Sequence, residues 1–148
     1  MSTIRGLYNR IQKVDTDQII AESLEDSASG FVGKQQDQMY EGINSDGSER
    51  EPAYSPVTIA LKRIKGQRTD VVTLHDTGDF YRGQYIDVRN DIIIEDSADV
   101  KTAKLVKKYG EKMFGLSKPF KIMYLDEDLR PVFKNKIESA TGLVMKSA

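Results

Sequence analysis

Apolar side chains recur every three or four positions through the first 40 residues, which is the spacing of an amphipathic helix. In the first segment they share one face: Ile4, Leu7, Tyr8, Ile11 and Val14. A second helix is predicted to begin at the capping sequence Asp15-Thr16-Asp17, and its apolar positions are Ile20, Leu24, Phe31 and Met39. Because a glycine in a helix interior costs about 1 kcal/mol, we expect one long imperfect helix or two helices with a break near Gly30.

The pattern turns polar between residues 43 and 54, where the letters INSDGSEREPAY contain the residues that favour turns and loops. A short helix is predicted directly after this loop. Ser55 is a suitable N-cap, and Pro56 fits the first helical position because its missing N–H would have no partner there. The helix is expected to run through Ile64 and to end at Gly66.

Apolar runs typical of β-strands follow from about residue 71 to 96, and the letters YIDVRNDIIIED predict an antiparallel hairpin near 84–96. A two-residue loop at 90–91 would place Ile86 opposite Glu95. A three-residue loop at 89–91 would place Ile86 opposite Ile94 and give the hairpin one apolar face. Since a shift of one residue reverses every side chain, burial favours the three-residue loop, with Asn90 or Asp91 in the left-handed conformation.

Helical spacing returns in the last third of the chain. A helix is predicted from Val100 to Tyr109, and another begins after Ser117 and ends at Gly142. Pro131 is expected to kink or divide this last helix, because proline cannot donate a backbone hydrogen bond. Helices, loop, small helix, hairpin and C-terminal helix together predict an α+β fold, and 148 residues are enough for a single domain, 1–148.

Composition excludes several kinds of chemistry. The chain has no cysteine and one histidine, so disulfides, cysteine-ligated metals and multi-histidine metal sites are excluded. A formal net charge of −1 gives no overall attraction to nucleic acid or to an anionic membrane. The sequence also has no phosphate-binding glycine loop, and neither a signal peptide nor a transmembrane run is recognisable. We therefore predict no cofactor, no metal site and no membrane partner.

One short motif has the form of a catalytic loop. Asp76-Thr77-Gly78 follows an apolar run, as in aspartic proteases, where the carboxylates of two such loops share one proton. This chain has one copy, so an enzyme would have to be a dimer with a deep pocket around Asp76. Small dimeric aspartic proteases are almost wholly β-sheet, whereas two helical segments precede the motif here. We therefore predict no catalytic residue: Asp76 caps its own backbone, and Gly78 supplies the positive φ of a turn.

Lysines are concentrated after the predicted sheet. They lie at positions 101, 104, 107, 108, 112 and 118, with Tyr109 and Phe114 between them. A solvated helix face explains such a stretch, and a surface for nucleic acid or for an acidic partner is the alternative. The hypothesis of a nucleic-acid-binding accessory protein therefore depends on Lys101–Lys118 and predicts DNA binding that weakens steeply with salt.

Four short motifs follow one another in the middle of the chain. They are the turn at 44–47, Tyr54-Ser55-Pro56, the basic segment 62–68, and the apolar run into a Thr-Gly turn and an aromatic residue at 74–80. This pattern resembles the central region of the tail-completion proteins of tailed phages and prophages, a group that includes virion morphogenesis and minor tail proteins. The letters MFGLS at 113–117, followed by a C-terminal helix, resemble a variant common in prophages of Bacteroides-like bacteria. The likeness covers about residues 38–140.

This resemblance implies a non-enzymatic structural protein of the virion, in which the Asp-Thr-Gly turn leads into the hairpin. It implies a closed ring of identical subunits in the neck, with heterologous contacts between neighbours. The partners would be the head connector or portal-side ring and the tail tube or tail terminator, with DNA passing through the lumen. The chain would be found in the host cytoplasm during assembly and then in the virion. The loop 43–54 and the stretch 107–118 are the expected docking elements, one of them mobile in the free subunit. A dimeric hydrolase using Asp76 and the nucleic-acid-binding protein are the alternatives.

Overall fold

Helices form both ends of the chain and enclose a short hairpin. The protein is described here by a computed structural model that covers residues 3–89 and 92–146. The hairpin and the C-terminal helix over 118–141 give the predicted α+β fold. In chain order the elements are α1 (Ile4–Gln12), α2 (Thr16–Asp26), α3 (Ala28–Tyr40), α4 (Pro56–Ile64), α5 (Asp79–Arg82), β1 (Gln84–Arg89), β2 (Ile92–Ser97), α6 (Thr102–Tyr109), a 3₁₀ turn (Glu111–Met113), α7 (Lys118–Tyr124), a π-helical turn (Leu125–Leu129) and α8 (Arg130–Thr141).

The N-caps predicted at Asp15 and Ser55 are present, whereas Ser117 precedes α7 without a side-chain capping hydrogen bond. Asp15 Oδ1 accepts a hydrogen bond from the Gln18 N–H at 3.0 Å and begins α2. The break expected near Gly30 lies at Ser27 instead, where the backbone leaves helical geometry. Ser27 Oγ donates to the Ser23 carbonyl at 2.7 Å, and the Tyr124 hydroxyl lies 2.7 Å from the same Oγ. A serine can stabilise such a break because its hydroxyl competes for backbone groups of the preceding turn.

Gly30 has a packing role inside α3. A Cβ at this position would lie 2.4 Å from Cγ and 2.7 Å from Cβ of Asp128 in the π-helical turn. Only a residue without a side chain allows this approach, so the glycine is explained by the close contact between α3 and the C-terminal helix. The sequence shows that position 30 is a glycine but does not show that Asp128 packs against it. For that reason the helix break was predicted near Gly30, whereas it lies at Ser27.

Helix α3 connects two hydrophobic clusters. One cluster lies around the C-terminal half of α3 and contains Met39, Val72, Leu74, Phe80, Tyr109 and Met113. The other lies around its N-terminal half and contains Phe31, Leu116 and Tyr124, with Ile86 and Ile93 of the hairpin packed against them. Because buried apolar area is the main favourable contribution to folding, α3 is the element around which the rest of the chain assembles.

Buried amide side chains of α3 hold the segment 113–117. Gln35 Nε2 donates to the Met113 carbonyl at 2.9 Å, and Gln38 Nε2 donates to the Gly115 carbonyl at 2.8 Å. Gln38 Oε1 also accepts from the Ser117 N–H at 2.7 Å. The 113–117 segment has irregular backbone, so its polar groups need partners from other elements when it is buried. Side chains that pattern analysis treats as surface residues therefore lie in the core.

The hairpin has the two-residue loop and not the predicted three-residue loop. Ile86 pairs with Glu95, Val88 with Ile93 and Arg89 with Ile92. Ile93 therefore lies on the inner face, while Ile94 lies on the outer face. The expected left-handed position at Asn90 or Asp91 lies outside the described residues.

The wrong register followed from treating Glu95 as a surface residue. Its carboxylate lies on the inner face, and Oε2 accepts a hydrogen bond from the Gly115 N–H at 2.7 Å. Burial raises the pKa of Glu95 to about 7, although the Gly115 hydrogen bond acts in the opposite direction. A glutamate with such a partner can occupy an inward position, so one apolar face was not required.

The C-terminal helix continues past Pro131 without the predicted division. Pro131 lies in the first turn of α8, and the turn just before it, Leu125–Leu129, is π-helical. The wider turn accommodates the proline ring and its missing N–H. Gly142 ends the helix as predicted, with a φ of 73°. Within residues 3–89 and 92–146, no helix combines the length and the apolar character needed to cross a membrane.

Candidate functional site

The Asp-Thr-Gly motif forms a turn that begins α5. Gly78 has a φ of 87°, which agrees with the predicted positive φ. Thr77 Oγ1 donates to the Asp79 carboxylate at 2.6 Å. Asp76 does not cap its own backbone as predicted: its exposed carboxylate accepts from Lys65 Nζ at 2.5 Å. This hydrogen bond lowers the pKa of Asp76, so the carboxylate is ionised at neutral pH, unlike one that shares a proton with a second acid.

Leu74, just before the turn, has an unusual backbone conformation. Its φ is 57° although it is a buried leucine, and the left-handed region is unfavourable for a side chain of this size. The neighbouring Thr73 is fixed on both sides: its N–H donates to the Tyr54 hydroxyl at 3.0 Å, and its carbonyl accepts from the Tyr81 hydroxyl at 2.5 Å. Leu74 lies between Thr73, which these two tyrosines hold, and His75, whose carbonyl accepts a hydrogen bond from Lys62.

Lys62 is the least expected residue of the region, because only 7% of it is exposed. Its Nζ donates to the His75 carbonyl at 2.5 Å and to Gln67 Oε1 at 3.2 Å, and it lies 4.9 Å from the centre of the Tyr54 ring. All three partners are neutral. Lys62 also contributes, after Lys65, to the lowered pKa of Asp76 in the same cavity. A buried cation is costly unless negative charge lies near it, so this site favours negative charge.

These residues line a half-open cavity of about 260 Å³ between α4, the Asp-Thr-Gly turn and α6. Its charged lining consists of Lys62, Lys65, Lys101, Asp76 and Asp99. Most of the remaining wall is apolar or aromatic and comes from Tyr54, Leu61, Leu74, Phe80, Leu105 and Tyr109. We call this space the α4–α6 cavity. It is large enough for one or two amino-acid side chains, and its lysines outnumber its carboxylates.

His75 also lines the α4–α6 cavity, and its ring packs edge-on against Tyr81 at 5.0 Å. A general base needs a partner that orients it, and the ring contact of His75 is with an aromatic face. The arrangement therefore provides an apolar binding surface with positive charge more readily than a set of groups for acid–base chemistry.

The loop 43–54, predicted as a docking element, is anchored to the core. Asn44 and Arg50 are buried, and the guanidinium of Arg50 donates to the carbonyls of Met39 at 3.2 Å, Val72 at 2.6 Å and Ile43 at 2.9 Å. Burial lowers the pKa of Arg50 below its ordinary value. The polar composition of the loop predicted that it is solvated. Its buried polar side chains instead form hydrogen bonds with backbone groups inside the protein.

The predicted basic stretch has two distinct parts. In α6 the apolar residues Leu105 and Tyr109 face the α4–α6 cavity, together with Lys101. Lys104 and Lys108 are exposed beside them, so α6 extends the positive charge of the cavity rim. The part from 113 to 117 is internal, since Met113, Leu116 and Ser117 are buried. Lys112 and Lys118, on either side of this internal segment, are exposed.

Within residues 3–89 and 92–146, no three histidine, aspartate or glutamate side chains lie close enough together to hold a metal ion. No protein-family profile matches the sequence, and comparisons with curated proteins and with solved structures return no significant match. The geometry of the described residues is therefore the basis for a functional proposal.

Proposed function

We propose that the chain is a non-enzymatic structural subunit of a phage or prophage virion. It forms a closed ring in the neck that joins the head connector to the tail tube. The ring is assembled in the host cytoplasm, and DNA passes through its lumen. The sequence pattern over residues 38–140 suggested this role, and the surface of the folded chain supports it.

The supporting observation is a pair of separate apolar helix faces that the subunit leaves exposed. On α1, a helix with no buried residue, Ile4, Tyr8 and Ile11 are exposed, and Ile4 is 88% exposed. On α4, Val57, Leu61 and Ile64 share one face, and Ile64 is 82% exposed. Exposed apolar patches on a soluble protein mark contact surfaces. A neck subunit needs contact surfaces for its ring neighbours and for the adjoining rings, and α1 and α4 supply two different apolar patches.

The two apolar faces lie in different parts of the molecule. Helix α1 packs against α8, whereas α4 borders the α4–α6 cavity next to Leu74 and Phe80 of the other hydrophobic cluster. A single symmetric dimer contact would use one patch twice and would leave the second patch uncovered. Two distinct patches are better explained by a subunit that contacts more than one partner.

The hydrolase alternative has one observation in its favour, the cavity beside Asp76. The state of the carboxylate is against it, since Asp76 is exposed, ionised and paired with Lys65. We expect Asp76→Asn to change the free energy of unfolding by at most about 1 kcal/mol, as for other exposed ion pairs. We also expect the purified protein to show no cleavage of a peptide library. Pepstatin-sensitive cleavage that is lost in Asp76→Asn would support the hydrolase instead.

Deletion of the gene from its phage or prophage tests the neck function. We expect heads that contain DNA but lack joined tails, and we expect the protein in purified wild-type particles. A plasmid copy of the gene is the control and should restore joined particles. Normal particles from the deletion strain, together with wild-type particles that lack the protein, would contradict the proposal.

A further inference from the structure

The α4–α6 cavity and helix α2 have complementary chemistry. The segment 100–110, which contains α6, carries four lysines and no acidic residue, whereas the segment 15–26, which contains α2, carries five carboxylates and no basic residue. The two segments lie on different parts of the subunit, because α2 packs against α8 and α6 borders the cavity. The α6 segment is therefore basic and the α2 segment acidic, although the net charge of the chain is only −1.

The shapes of the two surfaces also suit each other. The cavity presents an apolar wall that includes Leu61, and its lining also contains Lys101 and the Lys65–Asp76 pair. Helix α2 exposes one large apolar side chain, Ile20, one helical turn after the exposed Asp17. A cavity of about 260 Å³ has room for an isoleucine side chain. The carboxylates beside that side chain would then meet the lysines of the rim.

The buried cation explains why the occupant should be acidic. Lys62 donates to neutral groups, and Asp76 of the same cavity is paired with Lys65. The Lys62 charge lies in the cavity wall, where solvent is partly excluded. Part of the acidic charge of α2 is already used, since Lys136 Nζ lies 2.7 Å from Asp26 and 3.7 Å from Glu22. Asp17, three residues before Ile20 on α2, remains exposed and available to a cationic surface. Complementary charge of this kind selects partners and accelerates their encounter.

We propose that the α4–α6 cavity receives helix α2 of a second copy of the chain, with Ile20 inserted against Leu61. The contact is head-to-tail, because the donor surface and the acceptor surface are different parts of the same subunit. Repeated around an axis, such a contact closes a ring. The inference depends on the proposed function only for the closure of that ring, and the contact itself can be tested on the isolated protein.

Disulfide trapping tests the contact directly, because the natural chain contains no cysteine. One preparation carries Ile20→Cys and the other carries Leu61→Cys, and the two are mixed under mild oxidation. The matched control replaces Ile20→Cys by Ile94→Cys, since both isoleucines are 41% exposed and Ile94 lies on the outer face of the hairpin. We expect the 20–61 dimer to exceed the 94–61 dimer by about tenfold. Equal yields of the two dimers would overturn the proposal.

A charge exchange tests the role of the lysines. Lys104→Glu should weaken self-association by about tenfold in sedimentation velocity, and adding Asp17→Lys should restore most of it. Both positions are exposed, so neither change should alter folding. No loss with Lys104→Glu, or no recovery with the second change, would contradict the contact. If Lys104→Glu instead abolished binding to duplex DNA and left self-association unchanged, the surface would belong to nucleic acid.

The same cysteine pair separates this inference from the neck function. If particles contain the protein but show no 20–61 disulfide, the result supports the neck function and contradicts this contact. If the 20–61 disulfide forms in solution but the protein is absent from the particles, the result supports the contact and contradicts the neck function.

Discussion

At the scale of single residues, Lys62 and Arg50 are buried and Glu95 is half-buried, and each of the three binds a backbone group. Lys62 and Arg50 donate to carbonyl oxygens, and Glu95 accepts from the N–H of Gly115. Each joins segments that are distant in sequence or irregular in backbone. Such residues are sensitive positions, because a buried charge without its partners costs several kcal/mol.

Glu95 gives a pH dependence to the stability. Because burial raises its pKa from 4.5 to about 7, the folded protein retains a proton that the unfolded chain releases in this interval. The stabilising contribution is therefore fully present below about pH 4.5 and is lost as the pH rises through about 7. We expect Glu95→Gln, which cannot ionise, to be more stable than the parent at about pH 8, by up to about 3 kcal/mol.

Urea unfolding of both proteins at several pH values measures this difference. At about pH 5 the two should agree within about 1 kcal/mol, because Glu95 is then mostly protonated in the folded state. Glu111→Gln, at an exposed glutamate, is the matched control for the loss of a carboxylate at the surface. A Glu95→Gln variant that is less stable than the parent at about pH 8 would show that the carboxylate is needed in its ionised form.

At the scale of elements, close contacts decide where helices and strands lie. The hairpin takes the register that places Glu95 on its inner face, and α3 approaches the C-terminal helix where Gly30 meets Asp128. The register and the helix contact each depend on a residue of another element. The intrinsic propensities of the individual segments allow both features but do not determine them.

The register is tested by two neighbouring isoleucines. Ile93 packs against the cluster of Phe31, Leu116 and Tyr124, whereas Ile94 lies on the outer face. We expect Ile93→Asp to destabilise the protein by about 3 kcal/mol or more, because it buries an unpaired charge, and Ile94→Asp by less than about 1 kcal/mol. Urea unfolding compares the two. A larger loss of stability with Ile94→Asp than with Ile93→Asp would support the three-residue loop predicted from the sequence.

The contact between α3 and the π-helical turn is tested at two glycines of one helix. Gly30→Ala should destabilise by about 1–3 kcal/mol, because the added methyl group would overlap Asp128. Gly33→Ala is the matched control. Nothing lies within 4 Å of the Cβ it would add, so it should stabilise α3 by up to about 1 kcal/mol. Thermal unfolding of both variants measures the effects, and two changes of the same sign would contradict the close contact.

At the scale of the whole molecule, the subunit has two hydrophobic clusters and several apolar faces that neither cluster covers. Helix α1 is the clearest case, since it contributes no buried residue and contacts the rest of the chain through α8. Its apolar face contributes little to the stability of the isolated subunit. In the proposed ring, that face is covered by a neighbouring protein.

Polar substitution of α1 tests this division between folding and assembly. We expect the double variant Tyr8→Ser and Ile11→Ser to change the free energy of unfolding by less than about 1 kcal/mol, because both side chains are exposed. We expect the same variant to be poorly incorporated into particles when it replaces the natural chain. The control is Ile92→Ser, also exposed, on the hairpin. Normal incorporation of the α1 variant would show that this face is not a contact surface.

The sequence by itself determined the elements whose causes are local. Helical spacing, the caps at Asp15 and Ser55, and the glycines at 78 and 142 were read correctly, because each acts within one turn of its own position. The α+β class followed from the order of these elements. The turn formed by Asp76-Thr77-Gly78 was also predictable, although the Lys65 partner of Asp76 was not.

Only the tertiary structure decided the features that depend on residues far apart in the chain. The hairpin register required Gly115 opposite Glu95, and the break between α2 and α3 required Tyr124 beside Ser27. The α4–α6 cavity required α4, the Asp-Thr-Gly turn and α6 to meet around Lys62. A polar residue can be predicted to be exposed only if no distant backbone group requires its side chain as a hydrogen-bond partner. Which backbone groups require such a partner is decided when the chain folds.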